Sequence, residues 1–262
     1  MSSEKQIEFT KENIDTYLKA VAKEYRKQIG KNMPAELILI GGAAVLVNYG
    51  FRDMTTDIDA VIRAASAMKD VINRVGDRFD LPNGWLNEDF VKTASYSPKL
   101  EEFSQYYKTY SNVLTVRTVA AEYLIAMKLR SGRQYKSDLS DVLGILAEHA
   151  KEGQPISMEK IQKAVSDLYG GWETLPESSQ NFIANIMQSG QYEDLYNQTI
   201  VGERETHELL IRFEKDYPGV AKESNVDIIA GTLQKKASKA SVLAQLRESK
   251  GDAKKTTSAD DS

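Results

Sequence analysis

The sequence predicts an α+β fold with an α/β-like core, in which a small mixed β-sheet is flanked by helices and followed by a helical C-terminal domain. The central observation lies in residues 37–62, where an apolar run, a glycine pair, a short apolar segment and a second apolar run follow one another. This order is typical of strand, turn, helix and strand. From Lys151 onward, apolar residues recur only at helical spacing, so the sheet is expected to end before that point.

The core elements can be assigned from apolar periodicity. Leu37–Ile40 is too short and too branched for a helix and predicts a buried strand. Ala43–Asn48 suits a short helix that is packed on several sides, and Thr56–Ile62 predicts the second strand. Amphipathic spacing predicts a helix over residues 10–29 and another from Met68 to Val75. The order of helix, strand, helix, strand and helix indicates a layered core.

Later elements follow from similar patterns. Thr10 and Gly30 are placed to begin and end the first helix. Val113–Arg117 predicts a strand, Val119–Arg130 a helix, and Asp138–Ala150 a further helix with a clear apolar stripe. Four aromatic residues before these elements recur at helical spacing, which favours a helix packed in the core over a base-stacking surface: Phe103, Tyr106, Tyr107 and Tyr110.

Composition shifts indicate a division of the chain. We expect a first domain over residues 1–150, a helical domain or lid over 151–248, and a disordered tail over 249–262. The Lys-Glu-Gly-Gln-Pro segment at the first boundary contains turn residues. The tail has almost no apolar residues, so it cannot bury a core.

Composition also limits the chemistry. The 262 residues contain no cysteine and only two histidines, His149 and His207, which are far apart in the sequence. Disulfides and thiolate sites are therefore excluded, and zinc is disfavoured. Any metal ion is expected to be held by oxygen ligands.

Charge and hydropathy bear on partners and location. No segment approaches the ~20 apolar residues of a membrane span, and the N-terminus lacks a signal-peptide core, so a cytoplasmic protein without a membrane partner is expected. The net charge of −4 argues against a general nucleic-acid coat. Gln234–Lys255 is nevertheless rich in lysine and arginine, as a segment that contacts RNA phosphates would be, or as a solvated terminal helix would be.

The residues that carry chemistry lie in the central segment. Asp57 and Asp59 alternate with Ile58 in the second strand, so both point to one face with Cα atoms about 6.5 Å apart. Such a pair resists joint ionisation unless a cation compensates it, and Mg²⁺ binds one or two carboxylates together with phosphate oxygens. Gly41 and Gly42 would let phosphates approach the free N–H groups of the helix start.

Each piece also has a simpler interpretation, since a glycine pair often forms only a turn and an Asp-x-Asp pair often faces solvent. Their order and spacing resemble the DNA polymerase β-like nucleotidyltransferase superfamily. The resemblance implies the nucleotidyltransferase fold, with Asp57 and Asp59 as ligands of a catalytic Mg²⁺ or Mn²⁺. It also implies a third carboxylate on a later strand. Glu88 and Asp89 are candidates by position, and the alternative is that they cap a helix starting near Phe90.

A second segment, Lys128 to Asp141, resembles an element of bacterial nucleotidyltransferase-like proteins related to abortive-infection toxins of toxin–antitoxin systems. Lys128 and Arg133 fit its Lys-x₄-Lys/Arg spacing, and Asp138 and Asp141 fit its Asp-x-x-Asp helix, with Ser137 as a departure from the usual pattern. The resemblance implies that Lys128 and Arg133 neutralise nucleotide phosphates and that Asp138 orients a nucleophile or a basic side chain. The alternatives are a charged exposed turn and a first-turn helix acid at Asp138.

These features predict a metal-dependent nucleotidyltransferase that moves a nucleoside monophosphate from an NTP to an acceptor hydroxyl. The resemblance to toxins implies RNA, such as a tRNA end, or a protein side chain as acceptor, and an antitoxin protein as partner. Two alternatives stay open. One is an enzyme that modifies a small molecule such as an antibiotic, and the other is a catalytically inactive module that binds a nucleotide or a partner.

Overall fold

The computed structural model describes residues 8–133, 137–222 and 225–236. Taken over these residues, the chain divides into two compact units. The first consists of Met1–Gly132 and Asp138–Tyr196, and the second of Arg133–Ser137 and Asn197–Ser262. The sheet and all of the site residues described below except Arg133 belong to the first unit.

The first helix, α1, spans Lys11–Ile29 and matches the predicted range of 10–29. Thr10 and Asn13 form a reciprocal cap, in which each side chain accepts a hydrogen bond from the other's backbone N–H. Gly30 ends the helix with φ +84°. The predicted start and stop signals of this helix are therefore confirmed.

The sheet contains five strands in the described residues: β1 Ala35–Leu39, β2 Ile58–Arg63, β3 Leu86–Asn87, β4 Ser104–Tyr110 and β5 Leu114–Val119. Their spatial order is β3-β2-β1-β5-β4. Strand β1 runs antiparallel to β2 and parallel to β5. The prediction of a small mixed sheet is thus confirmed, with β1 at its centre.

Helices account for most of the remaining described residues. They are α2 Gly41–Asn48, α3 Met68–Phe79, α4 Ala121–Ser131, α5 Asp138–Lys151, α6 Met158–Tyr169, α7 Glu177–Ser189 and α8 Tyr192–Asp216. Residues 226–236 are also helical. The predicted α+β class, with helices around the sheet and a helical C-terminal region, is confirmed.

The predicted helix around the aromatic residues Phe103 to Tyr110 is wrong, because this segment is the edge strand β4. Tyr106 is 64% exposed instead of lying in the core. The missed signal is the turn that follows, in which Ser111 and Asn112 both have φ +52° and the Val113 N–H bonds to the Tyr110 carbonyl. Two consecutive residues with positive φ are the hallmark of a tight β-hairpin. Aromatic residues spaced by three and four fit either structure, and pairing with β5 decides between them.

The packing of α5 against the chain after α2 depends on one glycine. A Cβ atom on Gly144 would lie 2.6 Å from two ring atoms of Phe51, and that ring also contacts Tyr49 and Tyr196 at centroid distances of 5.5 Å. The ring therefore has little room to yield. A side chain at position 144 would force α5 and Phe51 apart.

We expect Gly144→Ala to lower the free energy of unfolding by about 1–3 kcal/mol, the usual cost of overpacking. The matched control is Gly202→Ala in α8, where a Cβ would meet no atom within 4 Å. There alanine is expected to stabilise the helix by up to about 1 kcal/mol. Urea unfolding of both variants measures the effects. Equal stabilisation by both substitutions would contradict the packing described for Phe51.

Candidate functional site

At the connection from β1 to α2, the first backbone N–H groups of the helix have no hydrogen-bond partner among the described residues. The N-cap residue Ile40 provides no side-chain cap, and the first backbone bond back to it comes from Ala44. The N–H groups of residues 41–43 therefore have no acceptor within the helix. Gly41 has φ +57°, a left-handed conformation that is costly for residues with a Cβ atom. The backbone shape here favours glycine.

Asp59 lies against this helix start. A Cβ atom on Gly41 would be 3.5 Å from the Asp59 Oδ2 atom. The antiparallel pairing of β1 and β2 creates this proximity, since the Ile40 N–H donates to the Asp59 carbonyl at 3.0 Å. The structure thus brings together Gly41 and Asp59, two residues that the sequence analysis assigned to one site.

Asp57 lies at the entrance to β2, which begins at Ile58 and not at the predicted Thr56. Asp57 is exposed, Ile58 is buried and Asp59 is half-buried, as expected for side chains that alternate between two faces. Among the described residues, the Asp57 carboxylate has no ion-pair partner. The carboxylates of Asp57 and Asp59 thus both lie at this end of the strand.

The short strand β3 occupies the place next to β2, and its Asn87 pairs in register with Asp59. The Glu88 carboxylate accepts a hydrogen bond from the Ile62 N–H at 2.9 Å, and Asp89 pairs with Lys92 at 2.7 Å. Asp89 begins a four-residue 3₁₀ turn, Asp89–Lys92, in place of the helix considered for this segment. Within the described ranges, no three acidic or histidine residues form a group that could hold a metal ion.

Behind the glycine pair lies a buried cluster of four charged residues. Lys128 Nζ on α4 lies 2.8 Å from Asp138 Oδ1 and 2.8 Å from Asp141 Oδ2, both on α5. Arg52 Nη1, in the loop after α2, lies 2.6 Å from each carboxylate oxygen of Asp141. These four residues carry two positive and two negative formal charges.

Burial and charge act in opposite directions on Lys128. Burial alone would lower its pKa, but Coulombic attraction to Asp138 and Asp141 outweighs that effect and the pKa is raised. A raised lysine pKa contributes stability that is fully present below the unfolded value of about 10.4 and is lost as the pH rises through the folded value. Lys128 is therefore charged at neutral pH.

Three of these four residues were identified from the sequence. Asp138 contacts the basic side chain of Lys128 and is also the first residue of α5. Its position therefore fits both interpretations, a residue that orients a basic side chain and a first-turn helix acid. Arg52 was missed. The available signal was its position between the glycine pair and the aspartates, in a loop that has to connect α2 to β2.

Gly42 connects this cluster to the helix start. A Cβ atom at this position would lie 2.6 Å from Thr55 Oγ1 and 2.9 Å from Arg52 Nη2. Neither distance is compatible with an ordinary contact, so any larger residue would displace Arg52 or Thr55. Gly41 thus adjoins a carboxylate and Gly42 adjoins a guanidinium.

The remaining predicted site residues are less informative. Arg133 is half-buried and follows Gly132, the residue that ends α4, and its role at the nucleotide stays a prediction. Of the basic stretch at 234–255, only residues 234–236 are described, and the rest lies outside the described residues. No helix in the described part of the chain is long and apolar enough to cross a membrane.

Comparison with protein families gives one match. Residues 16–169, more than half of the chain, match a family described as nucleotidyltransferase of unknown function (DUF6036). The matched range includes the glycine pair, both aspartates of β2 and the buried charge cluster. No curated protein and no solved structure matches the chain. The finer resemblances, to the DNA polymerase β-like superfamily and to abortive-infection toxins, stay predictions.

The charge cluster predicts a large stability effect. We expect Lys128→Met to lower the free energy of unfolding by about 3–5 kcal/mol, because the buried carboxylates of Asp138 and Asp141 would both lose the cation that lies between them. Adding Asp138→Asn to this variant is expected to restore part of the loss, since the two sites are in contact and couple. Chemical denaturation of the single and double variants measures both effects.

The matched control is Lys151→Met, which removes an ion pair with Glu193 whose side chains are 57% and 63% exposed. Exposed pairs contribute less than about 1 kcal/mol. If Lys128→Met cost no more than this control, the cluster would not be what holds α4 and α5 together.

Proposed function

Since this chain belongs to the family of nucleotidyltransferases of unknown function, we propose that it transfers a nucleoside monophosphate from an NTP to an acceptor hydroxyl and releases pyrophosphate. The observation that carries the proposal is the contact between Asp59 and Gly41, which places a carboxylate beside open backbone donors. Nucleotidyl transfer requires both features, because phosphates need donors and their metal ion needs oxygen ligands.

In this proposal the N–H groups of residues 41–43 bind the phosphates. Helix α2 has eight residues, and the partial positive charge at its start favours an anion there. Glycine at positions 41 and 42 keeps side chains from covering these donors. Phosphoryl transfer depends mainly on positioning and charge compensation, and a rigid turn between two core elements supplies positioning.

Asp57 and Asp59 are the proposed ligands of Mg²⁺ or Mn²⁺. The donor set fits such an ion, because both are hard oxygen ligands and two protein carboxylates suffice when substrate phosphates complete the coordination. When bound, the ion supplies positive charge that stabilises the charge developing on the transferred group. In this proposal the Lys128 ammonium is paired with Asp138 and Asp141. Lys128 therefore acts on the site only through these two carboxylates.

RNA is the acceptor that we propose to test first, on the basis of the basic stretch at 234–255 and the resemblance to toxins. An antitoxin partner and a cytoplasmic location belong to the same proposal. A second candidate function, a nucleotide-binding module without catalysis, is favoured by the lack of a third acidic or histidine residue near Asp57 and Asp59 in the described ranges.

The deciding experiment supplies each α-labelled NTP with Mg²⁺ or Mn²⁺ to the protein and to total cellular RNA. We expect label in RNA that depends on the metal and is lost in Asp57→Asn/Asp59→Asn. That variant is expected to stay folded, since removing two adjacent like charges relieves repulsion. Asp77→Asn, an exposed acid on α3, is the control and should transfer normally.

The other outcomes separate the alternatives. Label on the protein itself would identify a side-chain acceptor. NTP binding that does not depend on the metal, with no label on RNA, protein or a panel of hydroxyl-bearing small molecules, would favour the binding module. Unfolding of the double aspartate variant would show that the pair is structural and would contradict the metal site.

A further inference from the structure

Arg52 is held on two of its three nitrogen atoms. Nη1 pairs with both oxygens of Asp141 at 2.6 Å, and Nε donates to the Met54 carbonyl at 3.0 Å. The third nitrogen, Nη2, has no hydrogen-bond partner among the described residues. Every fully buried side-chain nitrogen or oxygen in that part of the chain has a partner. Nη2 is therefore open to solvent, consistent with a side chain that is 18% exposed.

The open nitrogen lies at the helix start. Nη2 would be 2.9 Å from a Cβ atom on Gly42, and Thr55 Oγ1 would be 2.6 Å from it. Gly42 is the second residue of α2, and its N–H is one of the donors without an acceptor in the helix. A cationic donor and backbone donors thus meet at one place on the surface.

The other cation of the cluster is differently placed. The Lys128 ammonium lies 2.8 Å from two carboxylates, and its side chain is 10% exposed. These two carboxylates compensate the positive charge of Lys128. Arg52 shares only Asp141, and its planar guanidinium can pair with a carboxylate on one edge while presenting N–H groups to a phosphate on another.

We propose that Arg52 binds a phosphate of the nucleotide through Nη2, and that Asp141 and Lys128 are positioning residues that fix its guanidinium beside Gly42. This inference rests on the proposed function, because it assumes that a nucleotide binds at Gly41–Gly42. It assigns the phosphate counter-charge of the site to a residue in the loop between α2 and β2.

The arrangement explains why position 42 must be glycine. A methyl group there would occupy the space of Nη2 and Thr55 Oγ1. It also explains the buried Asp141, which would be a costly group without two cations. A lysine at position 52 would have to approach Asp141 and a phosphate with the same nitrogen atom, whereas the guanidinium holds Asp141 with Nη1 and presents Nη2 separately.

The test measures, by calorimetry with Mg²⁺, the dissociation constants of ATP, GTP, CTP and UTP and of the four corresponding nucleosides. The ratio of nucleoside to NTP dissociation constants reports the contribution of the phosphates. We expect Arg52→Lys to lower this ratio about ten- to hundredfold, the effect of losing a charge-assisted hydrogen bond, and to leave nucleoside binding unchanged. Arg78→Lys is the matched control. Arg78 lies on α3 and pairs with Glu24 on α1.

Gly42→Ala provides a second variant that keeps every charge of the cluster. It should lower the same ratio, because the added methyl group displaces Nη2. Gly50→Ala, where a Cβ would meet no atom within 4 Å, should not. If Arg52→Lys fails to fold by circular dichroism, an unchanged ratio in Gly42→Ala would still contradict phosphate binding by Nη2.

Three results would overturn the proposal. An unchanged ratio in both variants would show that Arg52 does not contact phosphate, and equal weakening of nucleoside and NTP binding would show that it acts only on the fold. Either result leaves the proposed nucleotidyltransferase function standing. A wild-type protein that binds no NTP would overturn the proposed function and this inference together.

Discussion

The site depends on the carboxylate of Asp141, which forms ion pairs with two cations at once. Arg52 reaches it from the loop after α2 and Lys128 from α4. Because Asp141 belongs to α5, one buried group ties together two consecutive helices and a loop that lies 89 residues away in the sequence. Removing a buried partner from such a group is costly, so these segments are expected to keep a fixed relation. Because Arg52 lies next to Gly42, the start of α2 is expected to be held in place as well.

The sheet provides the second constraint. Strand β1 leads directly into α2, and its antiparallel neighbour β2 carries Asp59 beside the helix start. The register of a half-buried strand is strongly specified, because a shift of one residue would move every side chain to the other face. Ile58 and Ala60 are fully buried, so they fix Asp59 on the face that meets Gly41. The buried apolar residues of β2 thus determine the position of Asp59.

Features with local causes could be predicted from the sequence. Thr10 and Gly30 bound α1 through contacts within a few residues, and the glycine pair marks the end of β1. Features that depend on partners far away in the sequence could not be predicted in this way. The partner of Arg52 is 89 residues away, and no local pattern signals it. Strand β4 was misassigned because its aromatic spacing fits a helix as well, and only the pairing with β5 distinguishes the two. Asp59 and Gly41 were assigned to one site from their order in the sequence, and they lie next to each other in the structure, while their role stays a prediction.

The two glycines have separate reasons to lack side chains. Side chains at positions 41 and 42 would face different surroundings. Gly41 faces the Asp59 carboxylate and has a left-handed backbone, while Gly42 faces the Arg52 guanidinium. The same two peptide units therefore have a group that attracts metal ions on one side and a group that attracts phosphates on the other. A nucleotide bound with its metal ion carries both kinds of charge, and in the proposed function it would meet the turn between these two groups.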